Sequence, residues 1–148
     1  MRYFEDLKVG ETREFGEYHV TKDEIIEFAQ KYDPQPFHVD EAAAKDSIFG
    51  ELIASGWHTA AICMRIRHDM PGEELASLAG IGVKELRWRK PVKPDDTLHL
   101  RTKILDKRSS DSDPERGYID VQVEGINQDD NIVISYVSTA MFARTVEN

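Results

Sequence analysis

Apolar and polar residues follow two different periods along this chain, and the change of period divides it in two. In the first half, Ile25, Phe28, Ala29 and Tyr32 fall at i, i+3, i+4 and i+7. That spacing predicts one apolar helix face over about 22–32. Thr21 followed by Glu24 is a capping-box pattern that opens this helix. Before it, a weak alternation including Phe15 and Tyr18 predicts a short strand within 11–20. Asp40 reads as the N-cap of a short helix through Glu41-Ala42-Ala43-Ala44-Lys45. Ser55 reads as the N-cap of a longer helix that Pro71-Gly72 stops. From Trp57 to Met64 that helix has almost no charged face, and Thr59, Ala60, Ala61 and Cys63 are small. The pattern predicts a helix buried nearly all round and closely approached by a sheet, with Arg65, Arg67, His68 and Asp69 carrying its second half into water.

The second half has the period of strands. Residues 77–90 contain Leu78, Ile81, Val83, Leu86 and Trp88. Residues 97–105 alternate, 118–126 alternate most clearly, and 132–144 form a final strand. Turns are expected at 91–96 and 128–131, with a polar loop at 109–117. Helices early and four long consecutive strands late give an α+β class, a long antiparallel sheet curled around a central buried helix.

Composition narrows the partners. The 148 residues suit a single domain, 1–148. A net charge of −9 argues against a nucleic-acid partner, which needs a basic surface, and gives no support to a membrane-surface role. The single cysteine, Cys63, excludes an intrachain disulfide and a cysteine-rich metal site. No apolar run is long enough to span a bilayer and no signal region opens the sequence, so cytoplasmic location is the expectation.

The stretch Tyr32-Asp33-Pro34-Gln35-Pro36-Phe37-His38-Val39-Asp40 is where chemistry is expected. Asp33 and His38 can both move protons, and the two prolines between them restrict the backbone. A stiff loop then holds an acid and an imidazole in place before a substrate arrives. His38-x-Asp40 has two potential metal ligands but no third, and Asp40 has a capping role, so no metal is expected. Gly56 lies in the first turn of the buried helix, where backbone N–H groups lack intrahelical partners and the helix dipole favours negative charge.

Together these residues resemble the MaoC-like dehydratases, which include the (R)-specific enoyl-CoA hydratases. Asp33-Pro34-Gln35-Pro36-Phe37-His38 matches the family motif at Asp33, Pro36 and His38, with Gln35 where Asn is usual. Ala54-Ser55-Gly56 matches the second element, followed by Trp57, bulkier than the usual aliphatic residue. The run Pro91-Val92-Lys93-Pro94-Asp95-Asp96-Thr97 is similar to the family's strand junction, with Asp95 where Gly is usual. Met64 stands where some members place a serine.

The resemblance implies a hotdog fold and reversible hydration of a trans-2-enoyl thioester to a 3-hydroxyacyl thioester. Asp33 and His38 would activate water, and the Gly56 N–H would polarise the thioester carbonyl. Ser55 and Trp57 would lie beside the substrate. Arg65, Arg89 and Lys90 are candidates for contacts to coenzyme A, which enters as part of the substrate; no cofactor is implied. A homodimer or a dimer-based larger oligomer is expected, because such sheets cover their exposed edges by pairing. A hotdog acyl-thioesterase and a non-catalytic acyl-thioester-binding module are the alternatives. His58 is expected to be a buried, hydrogen-bonded core residue, and His19, His68 and His99 surface or strand residues.

Overall fold

The computed structural model describes residues 1–145. Strand β1 (Thr12–His19) leads into three helices, α1 (Lys22–Tyr32), α2 (Pro36–Val39) and α3 (Glu41–Lys45), and then into α4 (Gly56–His68). Four strands follow: β2 (Ser77–Trp88), β3 (Thr97–Ser109), β4 (Arg116–Ile126) and β5 (Ile132–Ala143). All five strands form one antiparallel sheet in the order β1-β3-β4-β5-β2. Among the described residues, no helix is long and apolar enough to cross a membrane.

The core lies between this sheet and α4. Leu98, Leu100, Ile119, Val123 and Ile134 have no exposed surface, and Ile62, Cys63 and Ile66 of α4 join the same cluster. Fully burying an aliphatic side chain of this size is worth ~1.5–3 kcal/mol. β1 meets the helix at Gly16, whose φ is +99° and whose missing Cβ would overlap Ile66. A side chain there is excluded by backbone conformation and by space alike.

The sheet curls around α4 as expected, but α4 is not buried nearly all round. His58, Thr59, Ile62, Cys63 and Ile66 are buried, whereas Trp57 and Met64 are about half exposed, at 59% and 47%. One sheet covers one side of a helix, and α1 covers only part of the other, chiefly where Phe28 stacks on His58 at 4.6 Å. Similarly, Ile25 and Ala29 of α1 are fully buried, but Tyr32, the last residue of that helix, is 72% exposed.

The expected stiff loop is partly helical. Pro36 occupies the first position of α2, where a missing N–H leaves no bond unmade. Gln35 before it is extended, as a following proline demands. His38 therefore projects from a helical turn. Farther on, the 91–96 junction is tied down by Asp96, whose carboxylate accepts from the Lys93 amide and the Gln128 side chain, both at 2.9 Å. Val92 in that junction is buried, and its carbonyl accepts the Ala54 amide at 2.8 Å. The β2–β3 connection thus fixes the chain just before α4.

Candidate active site

Asp33 caps the end of α1, its amide donating to the Ala29 carbonyl at 2.8 Å. This places its carboxylate over α2. There the His38 Nδ1 donates to the carbonyl oxygen of Ile53 at 2.7 Å. A carbonyl only accepts, so Nδ1 carries hydrogen, and the neutral ring presents a lone pair at Nε2. That Nε2 lies 3.5 Å from Asp33 Oδ2. Phe37 meets the His38 ring edge-on at 4.5 Å and helps bury it. The His38 side chain is 7% exposed and that of Asp33 27%, so the pair is open to solvent chiefly on the Asp33 side.

Backbone contacts set this geometry. The Ile53 amide donates to the Phe37 carbonyl at 3.3 Å, and the Ala54 amide is held by Val92. The next residue, Ser55, donates its hydroxyl to Asp33 Oδ2 at 2.7 Å. Ser55 has no exposed surface, so the residue expected beside the substrate meets the carboxylate instead. Although it stands at the N-cap of α4, its side chain makes no capping bond. Among the described residues, the amides of Gly56, Trp57 and His58 have no hydrogen-bond acceptor. These are the donors a helix start leaves free, and the helix dipole adds positive potential there.

Gly56 owes its identity to a neighbour at the end of β2. A Cβ at Gly56 would overlap the indole of Trp88, closest to Cε2. Trp88, in turn, packs edge-on against Trp57, with ring centroids 5.1 Å apart. The space beside the Gly56 Cα is therefore filled by Trp88, and its backbone N–H is what remains available to a ligand. A bulge in β2 between Lys84 and Arg87, with Glu85 at φ 56°, precedes Trp88. Bulges redirect the side chains that follow them.

Three cations proposed from sequence as coenzyme A contacts do not cluster. Arg65 makes two 3.0 Å bonds to Asp69 and lies nine residues beyond Gly56, roughly 13.5 Å along the helix. Arg89 donates to Ser135 at 2.7 Å and lines a second depression with Arg87 and Glu85. Lys90 is exposed beside it. Arg89 and Lys90 thus directly follow Trp88, whereas Arg65 belongs to another surface.

That other surface is a groove of about 310 Å³ between α1 and α4. On it, Glu24 accepts from Tyr18 at 2.8 Å and from His58 Nε2 at 2.8 Å. Burial first, and the Glu24 carboxylate second, push the Tyr18 hydroxyl up to about 12. His58 is buried and hydrogen-bonded, as expected, although its Nδ1 has no partner among the described residues. The sequence pattern marks Glu24 only as a helix-capping residue. Its amide does bond Thr21 at 3.2 Å, but its side chain turns away to Tyr18 and His58. His19 pairs with Asp95 and His99 with Glu14 near the surface. Burial pushes the Cys63 thiol up to about 12, which makes it a poor nucleophile. Among the described residues, no group of three or more His, Cys, Asp or Glu is placed to hold a metal.

Comparison with known proteins bears on this arrangement. A MaoC-like dehydratase of known structure from Rhodospirillum rubrum is 40% identical, covers 99% of this chain and 100% of its own, and superposes with a TM-score of 0.90. The Bacillus subtilis protein YdeM is 33% identical over 126 residues, 84% of this chain and 86% of its own. Mesaconyl-CoA hydratase from Cereibacter sphaeroides is 28% identical across 95% of this chain, which spans only 40% of that protein's length. The MaoC-like domain profile matches residues 6–125. The chain therefore belongs to the MaoC-like domain family and has its hotdog fold.

Proposed function

We propose that this protein adds water reversibly to a trans-2-enoyl thioester carried on coenzyme A, giving the 3-hydroxyacyl thioester. The observation that carries this reading is the pairing of Asp33 Oδ2 with a lone-pair-bearing His38 Nε2 at 3.5 Å. Two acceptors at that separation suit a single water, whose oxygen can lie about 2.8 Å from both. His38 Nε2 takes one proton from this water, and Asp33 accepts a hydrogen bond from the other. The hydroxide so formed attacks the β-carbon. Electrons move through the conjugated system to the thioester oxygen, and the free amides at the start of α4 stabilise the charge that develops. A donor of this type is worth on the order of 3–4 kcal/mol in comparable enzymes. The proton held by His38 is then delivered to the α-carbon, and both residues return to their starting states. Dehydration runs the same steps in reverse.

Two relatives named for coenzyme A thioesters, mesaconyl-CoA hydratase and a 3-hydroxybutyryl-CoA dehydratase from Methylorubrum extorquens, support the substrate class. Arg89 and Lys90, beside Trp88 at one edge of the site, are the residues we assign to the carrier's phosphates. A thioesterase would use a carboxylate facing the thioester without a paired imidazole, and the His38 contact favours hydration instead. Following crotonyl-CoA by the loss of its enoyl absorbance and, in parallel, by release of free thiol separates the two. Loss of absorbance without thiol is the expected result; thiol release would establish the thioesterase.

We also assign the protein to a homodimer. β2 is an edge strand, and Leu78, Ile81 and Val83 on it are each more than half exposed. Trp57 and Met64 on α4 extend the uncovered apolar surface. Pairing two β2 edges would satisfy their free backbone groups and cover these side chains. Light scattering should give twice the chain mass, and Val83→Glu should shift it toward the single chain.

A further inference from the structure

Ser55 stands where a helix cap belongs but does another job. A serine at an N-cap normally accepts a hydrogen bond from an amide of the first turn, worth ~1 kcal/mol. A hydroxyl can donate and accept together, since it has one hydrogen and two lone pairs. At Ser55 only the donation is made: Oγ bonds Asp33 Oδ2 at 2.7 Å, and no first-turn amide is capped. The hydroxyl is fully buried, so it touches neither solvent nor a substrate in the opening beside Asp33. Its backbone is held on both sides. The Ala54 amide before it bonds Val92, and the Ser55 carbonyl accepts the Thr59 amide at 3.1 Å.

Oδ2 is also the oxygen that faces His38 Nε2. Asp33 ends a helix, and its side chain is the most exposed member of the group. Without the Ser55 donor, His38 at 3.5 Å would be the one polar side chain, among the described residues, holding that carboxylate's rotation.

We propose that Ser55 is the positioning residue for Asp33: its buried hydroxyl fixes the carboxylate oxygen that, with His38, binds the reacting water. The diversion has a second consequence, because an uncapped first turn leaves the amides of Gly56, Trp57 and His58 open to a substrate oxygen. The proposal rests on the hydratase reading for its kinetic part but not for its structural part.

Ser55→Ala removes the donor, and Ser55→Thr keeps it, with Ser55→Cys as the smaller alternative should the threonine variant fail to melt cooperatively. Crystal structures of the variants give the activity-independent readout. The Asp33 carboxylate should turn away from His38 in Ser55→Ala and stay in the donor-retaining variant. In hydration of crotonyl-CoA, kcat of Ser55→Ala should fall about 10²-fold, as misplacement by about 1 Å does elsewhere. KM should stay within about twofold, because Ser55 does not touch the substrate, and the donor-retaining variant should recover most of the rate. An unmoved Asp33 in Ser55→Ala would overturn the proposal, as would a loss confined to KM or an equal loss in all variants. If the wild type hydrates no enoyl thioester, the hydratase reading fails, and the Asp33 rotation still decides the role of Ser55.

Discussion

The His38 Nδ1 hydrogen is committed to the Ile53 carbonyl at 2.7 Å, and this bond fixes which ring nitrogen can do chemistry. A neutral imidazole has one donor and one acceptor nitrogen, so Nε2, facing Asp33, is the base. Nitrogen NMR of His38 in the neutral ring should show the Nδ1–H form. A predominant Nε2–H form would place the lone pair against the Ile53 carbonyl and remove the base from the site.

Gly56 and Trp88 form the second relationship the site depends on. A methyl group at residue 56 must displace the indole. Gly56→Ala is expected to lower stability by about 1–3 kcal/mol, the usual range for forcing an extra carbon into packed space. The tryptophan emission should change with it, since Trp88 also packs on Trp57. A variant with unaltered melting and emission would show that the contact is slack.

Asp95, in the junction before β3, occupies a left-handed backbone conformation, φ 72°. Aspartate tolerates this conformation better than most residues, and a β-branched residue tolerates it least. Asp95→Gly should therefore melt within a degree or two of the wild type, while Asp95→Val should lose roughly 1–2 kcal/mol. Equal melting temperatures for the two variants would mean the turn relaxes freely.

Asp120 supplies a pH dependence of stability. Burial raises its carboxyl, but hydrogen bonds from Thr139 and Arg108, with the charges of Arg108 and Lys84, outweigh that and hold it below the usual range. A carboxyl lowered on folding contributes stability above its unfolded value, near 3.9, and loses it as pH falls through the folded value. Wild type should exceed Asp120→Asn in melting temperature at pH 7, and the gap should close below about pH 4. A gap that stays constant down to pH 3 would show that the carboxylate's charge is not what stabilises the fold.

Much of this was legible from residue patterns because the signals were local. The apolar spacing of Ile25 and Ala29 and the Thr21 cap give α1 its observed limits, and alternation locates β3, β4 and β5. The Asp33–His38 pairing was accessible because prolines announce a fixed chain path. The Ile53 carbonyl was not accessible, since any residue carries one and no side chain marks it. Trp88 was missed because its direction depends on the bulge around Glu85, where strict alternation fails. The exposure of Trp57 and Met64 was misjudged for a different reason: an apolar stretch predicts that something covers it, not that the same chain does. Ser55 stands at the helix start that its local pattern predicts, but that pattern says nothing of a carboxylate 22 residues away that takes its hydroxyl.

Hydration by this site requires Asp33 and His38 to act together on one water. The most direct test is kcat/KM for hydration of crotonyl-CoA by wild type, Asp33→Asn and His38→Ala, each checked for an unchanged melting temperature. Each folded variant should lose about 10²- to 10⁴-fold, the span for a removed proton-transfer group. Folded variants that hydrate the thioester at the wild-type rate would contradict this requirement.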